Sequence, residues 1–248
     1  MDTDIKILAI DSSGLVASAA VVCGDELVAE YTINYKKTHS QTLLPMMDEI
    51  KKMVELDLES IDAIAVAAGP GSFTGLRIGS ATAKGLGLAL NKPLIGVPTV
   101  DGLAYNLYGT EKIICPIMDA RRSQVYTGVY TFERKEEKFT LKVLKEQCAI
   151  PMEEMILELN ENGKEVVFLG DGVPVFKEMI AENMNVPYSF APAHMNRQRA
   201  ASIAVLGAEY YAQGKTQTAT EHEPEYLRMS QAERERLEAE KKNNGNVS

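Results

Sequence analysis

The sequence predicts an α/β protein made of two similar halves. Three observations carry that expectation. An apolar run ending in aspartate occurs twice, each run leads into a pair of strand-like segments, and each pair leads into the same helix–strand–helix order. Ile5-Lys6-Ile7-Leu8-Ala9-Ile10-Asp11 opens the first half and Ile113-Ile114-Cys115-Pro116-Ile117-Met118-Asp119 opens the second. Both read as short buried strands with a carboxylate at the carboxyl end.

In the first half, Leu15 to Val22 and Glu26 to Tyr35 are strand-like, joined by Cys23-Gly24-Asp25. Its Gly-Asp step suits a hairpin, because positive φ costs glycine nothing. A helix is expected from about Ser40 to Leu56, a strand from Ala63 to Ala68 ending at Gly69, and a helix from about Thr74 to Leu90. In the second half, Gln124 to Phe132 and Phe139 to Ala149 pair across the charged Glu133 to Lys138. A helix at Met152 to Leu159, a strand at Glu165 to Leu169 closing in Gly170-Asp171-Gly172, and a helix at Val175 to Asn183 follow. Duplicated βββαβα units describe the two-lobed actin/sugar-kinase/Hsp70-like architecture; a Rossmann-like protein with antiparallel hairpins is the alternative. The lobes are expected at residues 1–105 and 106–227, with a helix from about Arg199 to Gln213 packing back on the first lobe. Residues 228–248 read as a charged tail, because Ser230 to Lys242 holds only Leu237 as a large apolar residue and cannot dock by burial.

Composition narrows the function. The 248 residues carry 26 Lys and Arg against 35 Asp and Glu, a formal charge of -9. A chain that grips nucleic acid by itself normally has a basic footprint, so autonomous tRNA or DNA binding is disfavoured, while a local basic patch is not. Cys23, Cys115 and Cys148 are odd in number and far apart, which fits neither a disulfide framework nor a Cys-x-x-Cys metal clip. His39, His194 and His222 are scattered, and no HExxH or EF-hand spacing occurs, so no metal site is expected. The start Met1-Asp2-Thr3-Asp4 lacks the basic region of a signal peptide, and no apolar run reaches the roughly 18 residues of a membrane span. A soluble cytoplasmic protein with no membrane contact is expected.

Four stretches could carry function. Asp11-Ser12-Ser13-Gly14 could hold phosphate, with the carboxylate positioning Mg²⁺ through water and Asp119 as its mirror; equally, Asp11 could simply start a turn. Gly69-Pro70-Gly71-Ser72-Phe73-Thr74-Gly75-Leu76-Arg77 looks like a phosphate loop. It is not a Walker loop, since Leu76-Arg77 stands where Lys and a hydroxyl are required, though the following helix N-terminus could attract an anion. Within that helix Gly75, Gly79, Ala83 and Gly87 recur every fourth residue and form one ridge. Interior glycine costs up to about 1 kcal/mol relative to alanine, so the ridge serves close packing, either on the protein's own sheet or on a second subunit. The helix starting near His39 carries Leu43, Leu44, Met46, Met47, Ile50, Met53 and Val54, a stripe broader than one buried face.

Taken together, ILAIDSS, HSQTLLPMMDEI, IDAIAVAAGPGSFTGLRIGSATAKGLGLAL, KPLIGVPTVDGLAYN, MDARRSQVYTGVY, FLGDG and PEYLR strongly resemble the TsaB (YeaZ) family, from Ile7 to Leu227. The resemblance implies the two-lobed fold and a part in threonylcarbamoylation of the adenosine beside the anticodon in tRNAs reading A-starting codons. The related catalytic family, TsaD, carries a metal motif His-x-Glu-Gly-His where this chain has Thr99-Val100-Asp101-Gly102-Leu103. Thr and Leu cannot supply imidazole ligands. The resemblance therefore implies a non-catalytic subunit with no cofactor of its own, ATP and metal being expected on partner subunits. Implied partners are TsaD, the ATPase TsaE and a second copy of this chain, with tRNA reached only through the complex. Implied interface residues are His39, Leu43, Leu44, Met47, Ile50, Gly75, Arg77, Gly79, Ala83 and Gly87. Asp11, Ser12, Ser13, Gly69, Gly71, Asp119, Gly170 and Gly172 would mark a vestigial nucleotide or phosphate site, and Arg77, Lys84, Arg121 and Arg122 would add charge near the cleft. The rival readings are an independent ATP-dependent phosphotransferase using Asp11 and Asp119, and a peptidase, for which no nucleophile elbow is visible.

Overall fold

The computed structural model describes residues 4–35 and 38–228. The stretch expected to be a charged tail lies, past Arg228, outside the described residues. In the first half, β1 (Lys6–Asp11), β2 (Ala17–Cys23) and β3 (Glu26–Ile33) form an antiparallel meander. Helix α1 (His39–Met53) leads to β4 (Ala63–Gly69), parallel to β1, and α2 (Phe73–Leu90) leads to β5 (Leu94–Pro98) and α3 (Thr99–Tyr105). The second half repeats the pattern with β6 (Ile113–Asp119), β7 (Gln124–Lys135), β8 (Lys138–Pro151), α4 (Met152–Asn162), β9 (Val166–Leu169), α5 (Val173–Asn183), β10 (Tyr188–Phe190) and α6 (Ala200–Ala212). The sheet orders are β3-β2-β1-β4-β5 and β8-β7-β6-β9-β10. Equivalent strands thus occupy equivalent places, which is the duplicated actin/sugar-kinase/Hsp70-like architecture.

Each half runs one strand and one helix beyond the expected βββαβα unit. The additional strands, β5 and β10, are only 5 and 3 residues long, too short for a periodicity to declare itself. The β7–β8 hairpin is longer than expected and turns at Glu136, whose φ is +56°. Leu15, expected to begin a strand, is 46% exposed beside a cleft, and β2 starts at Ala17.

The layers follow from which faces are apolar. Leu8, Ile10, Val21, Ile64 and Val66 face α1 and α2 on the outside of the first sheet. Ile117, Val125 and Phe168 face α4 and α5 on the outside of the second. Between the sheets lies a shared core in which Ile7, Ala9 and Val97 of the first sheet join Ile114, Tyr130 and Leu169 of the second through α3 and α6. Helix α6, the last among the described residues, lies on the first sheet. Its start is tied there by Ala200 N–H to Ser18 Oγ at 2.9 Å and by Arg199 pairing with Glu30. Because the middle layer belongs to both sheets, the lobes meet through packed side chains at one end and part into a cleft at the other.

Candidate functional site: the interlobe cleft and the outer helix face

The loops following β1, β4, β6 and β9 converge on a cleft of about 810 Å³ between the lobes. On the first-lobe wall, the Asp11-Ser12-Ser13 turn is closed on itself. Asp11 accepts from Ser13 N at 2.9 Å and Ser13 Oγ at 2.6 Å, and is itself 1% exposed. Burial pushes its carboxyl up to about 6, against the two Ser13 hydrogen bonds, which pull it down. Ser12 Oγ donates to Gly75 O at 2.9 Å. Ser13 lines the cleft, whereas Asp11 and Ser12 stand behind it. The turn reading of Asp11 therefore describes its contacts, and the carboxylate does not face the space a metal–phosphate group would need.

The loop after β4 lies directly on that turn. Ser72 N donates to Ser13 O at 2.6 Å, so the first amide at the α2 N-terminus is already used. Ser72 caps α2 by accepting from Gly75 N at 3.3 Å. Gly69 has φ +126°, and a Cβ there would sit 2.1 Å from Glu225 O. Only glycine admits that backbone and that neighbour. The neighbour belongs to a strap, Glu225–Arg228, that crosses from one lobe to the other. Glu225 N donates to Ala68 O at 2.7 Å in the first lobe, and Gln147 Nε2 donates to Glu225 Oε2 at 2.8 Å in the second. Arg228 reaches the carbonyl of Ala120, and Tyr226 stacks on Phe73 with centroids 4.8 Å apart. Arg77 lies over the Phe73 ring, 3.9 Å from its centroid.

On the second-lobe wall, Asp119 accepts from Arg121 N at 2.8 Å, while Gly170 and Gly172 pack against the carbonyl of Ile117 rather than lining the opening. Asp171, between them, lines the cleft, and burial raises its carboxyl above the usual range. The turn that joins β6 to β7 is strained. Arg121, Arg122 and Ser123 have φ of +67°, +56° and +57° in succession. Left-handed backbone costs roughly 1–2 kcal/mol per non-glycine residue. The conformation is held by Ala120 N to Gln124 O at 3.0 Å, Gln124 N to Arg121 O at 3.2 Å and Met152 N to Ser123 O at 3.1 Å.

The interface residues named from the sequence divide sharply. Leu43, Met47 and Ile50 are 1%, 9% and 5% exposed and belong to the first lobe's outer core. His39 is turned inward, its Nε2 2.9 Å from Gly14 O. A Cβ on Gly75 would meet Ser12 O at 2.1 Å, one on Gly79 Ser12 Oγ at 2.5 Å, and one on Gly87 Leu94 Cδ2 at 2.9 Å, while Ala83 is fully buried. The ridge thus packs α2 on its own sheet and is not an exposed interface. Leu44, 56% exposed, and Arg77 are the two of the ten that face outward.

A second small-residue ridge lies on the other side of the same helix. Ala81, Gly85 and Ala89 are all exposed, and a Cβ on Gly85 would touch nothing within 4 Å among the described residues. Each stands two residues from a member of the buried ridge, a rotation of about 200°. Leu88, 68% exposed, sits beside them, and Leu44 and Met53 (75%) add exposed apolar surface on the adjoining α1.

A family model described as TsaD, tRNA N6-adenosine threonylcarbamoyltransferase, matches residues 26–236. The tRNA threonylcarbamoyladenosine biosynthesis protein TsaB of Bacillus subtilis (strain 168) is 32% identical over 239 residues, covering 96% of this chain and 100% of the relative. The chain belongs to the TsaB family. TsaB of Escherichia coli (strain K12) is 28% identical over 231 residues, covering 92% of this chain and 96% of that one. The solved structure of YeaZ from Pseudomonas aeruginosa superposes with a TM-score of 0.75 at 26% identity, covering 90% of this chain and 100% of that chain.

In this TsaB family chain, all seven residues of α3 are buried. Asp101 accepts from Tyr130 OH at 2.7 Å, joining the first lobe to the second sheet. Burial pushes its carboxyl up to about 6, partly offset by its tyrosine hydrogen bonds, with Glu146 and Glu225 adding to the rise. Its place is in the interlobe core. No helix among the described residues is long and apolar enough to cross a membrane.

Four features of the site escaped the sequence reading. Asp171 was visible only as the middle of Gly-Asp-Gly. Gln198, 1% exposed on the cleft wall with neither amide atom hydrogen-bonded among the described residues, carried no local pattern. The strap, within Pro224-Glu225-Tyr226-Leu227-Arg228, has no spacing in the sequence that marks a role. The outer ridge was readable as Ala81-x-x-x-Gly85-x-x-x-Ala89, hidden by the stronger glycine ridge beside it.

Proposed function

We propose that this chain is the non-catalytic supporting subunit of tRNA threonylcarbamoylation, binding TsaD through the outer face of α1 and α2 and holding it in an active arrangement. The observation that carries the reading is the outer ridge. An 18-residue helix presents Ala81, Gly85, Leu88 and Ala89 as exposed residues, and a Cβ on Gly85 would meet nothing within 4 Å among the described residues. Small residues at i, i+4 spacing allow a second helix to approach closely, and one such surface serves a homodimer or a heterodimer but not both at once. The donor threonylcarbamoyl-adenylate and the accepting adenosine amine fall to the partner, with ATP and metal held by TsaD and TsaE. The closed Asp11 turn supports this division against a phosphotransferase, since its carboxylate is engaged by Ser13 and faces away from the cleft.

The test is co-expression with TsaD followed by purification on a tag carried by one partner. Modification of tRNA is then assayed with and without this chain. The expected result is a stoichiometric pair whose activity depends on both members. Activity of TsaD undiminished by omission, or threonylcarbamoyl transfer by this chain alone, would overturn the reading.

A further inference from the structure

We propose that the mouth of the interlobe cleft is an RNA-contact surface, where Arg121 and Arg122 meet the phosphates of an unpaired strand and Tyr226 stacks on a base. The proposal rests on the reading that this chain works on tRNA, and it assigns that work to named side chains.

The strained turn is the first argument. A short connection between two antiparallel strands that needs left-handed backbone is ordinarily made with Gly, Asn or Asp. Here Arg121 and Arg122 occupy two consecutive left-handed positions, and three backbone hydrogen bonds to Gln124, Arg121 and Ser123 hold the turn in place. Backbone strain of this kind persists where the surroundings over-determine it, and it gathers at functional sites. Turn geometry does not favour arginine, so the guanidinium groups are the features being displayed.

Charge placement is the second. The chain carries -9 overall, whereas the cleft is lined by three arginines, Arg121, Arg197 and Arg228, and three acids, Asp119, Asp171 and Glu225, with Arg122 next to Arg121 in the turn. Arg122 is exposed, and the Arg121 side chain is 87% exposed, with Asp119 as its only salt-bridge partner among the described residues, at 3.3 Å. Of the acids nearby, Asp119 takes the Arg121 amide and pairs with its guanidinium, Asp171 is half-buried in the cleft wall, and Glu225 accepts from Gln147. The opposite rim is aromatic. Tyr226, 40% exposed, rests on Phe73, over which Arg77 also lies. An arginine rim facing a stacked aromatic across a groove is the chemistry by which proteins hold single-stranded nucleic acid. Behind it, the unpaired amide of Gln198 adds unused hydrogen-bonding groups to the cleft wall. A free nucleotide would use the same phosphate contacts but would release few counterions, which separates it from a strand.

The experiment measures tRNA binding by fluorescence anisotropy on the complex with TsaD, across a range of KCl concentrations. Arg121→Asn with Arg122→Asn removes two cations and suits the left-handed turn. It is expected to lower affinity, to flatten the log affinity against log salt slope by about 1.4, and to leave the melting temperature at or above its starting value. Arg121→Lys with Arg122→Lys is expected to keep most of the slope. Tyr226→Ala is expected to weaken binding about fivefold or more at unchanged slope. Unchanged affinity and slope in the Asn pair overturn the RNA contact while leaving the supporting role intact, provided modification still requires this chain. Equal loss of ATP binding and tRNA binding in the Asn pair, with no change in slope, overturns it in favour of a free nucleotide. If modification does not require the chain at all, the functional reading falls and takes this contact with it.

Discussion

Gly75→Ala and Gly85→Ala add the same methyl group to the buried and the exposed ridge of α2, and the two should change stability in opposite directions. At Gly75 the new carbon would lie 2.1 Å from the carbonyl oxygen of Ser12, a backbone atom in a loop already held by Ser72 and by Ser12 Oγ. Overpacking of that kind costs about 1–3 kcal/mol. Gly75 is the third residue of the helix, so little helix propensity is recovered in exchange. At Gly85 the methyl would meet nothing within 4 Å, and an interior helical position gains about 0.8–1 kcal/mol. The variants should therefore differ by roughly 2–4 kcal/mol, or roughly 5–15 °C in melting temperature for a chain of this size, with wild type between them. Differential scanning calorimetry of the three proteins reads this directly. Equal melting temperatures, or a stabilised Gly75→Ala, would mean that the ridge does not press on the Ser12 turn, and the assignment of α2's two faces would fail.

Other consequences can be measured on the same protein. Asp101 holds its proton up to about pH 6 in the folded state against an ordinary 3.8, so its contribution to stability is complete below about pH 4 and is lost as pH rises through about 6. Urea midpoints for Asp101→Asn should fall less than wild type across that window; parallel curves would show that the carboxyl titrates normally. Ile203→Ala opens a cavity between α3, α6 and the first sheet, where Ile203 is 1% exposed, and should cost about 2–5 kcal/mol in urea unfolding. A cost near zero would mean that α6 is not seated there. Glu225→Ala removes the acceptor for Gln147 but leaves the Glu225 amide bonded to Ala68, so hydrogen exchange should quicken in the strap before it quickens in β4. Simultaneous exchange in both would refute the strap as a separate element.

The duplicated fold was legible because its signals are local and repeated. Each half announces its first strand with an apolar run ending in Asp11 or Asp119, and each hairpin and long helix carries its own periodicity. What stayed hidden depends on contacts distant in sequence. The shared middle layer joins Ile7, Ala9 and Val97 to Ile114, Tyr130 and Leu169 through α3 and α6, a set of contacts that no single stretch of sequence displays. The ridge in α2 packs on its own sheet, one of the two neighbours its spacing allows, where the family resemblance pointed to a second subunit; spacing gives a face but not its partner. The same spacing test, applied two residues further along, finds Ala81, Gly85 and Ala89. The Asp11 turn shows the reverse case: residue types that suit phosphate binding are consumed by one another, through Ser13 and Gly75, once the loops close.

The supporting role is tested most directly by Leu88→Arg. Leu88 is 68% exposed and its replacement disturbs no core, so the isolated variant should melt with wild type. A long cation in the middle of a small-residue helix contact should abolish co-purification with TsaD, and tRNA modification should fall to the level seen without this chain. Full association and full modification by a variant carrying Arg at this position would contradict the outer face of α2 as the place where the partner docks.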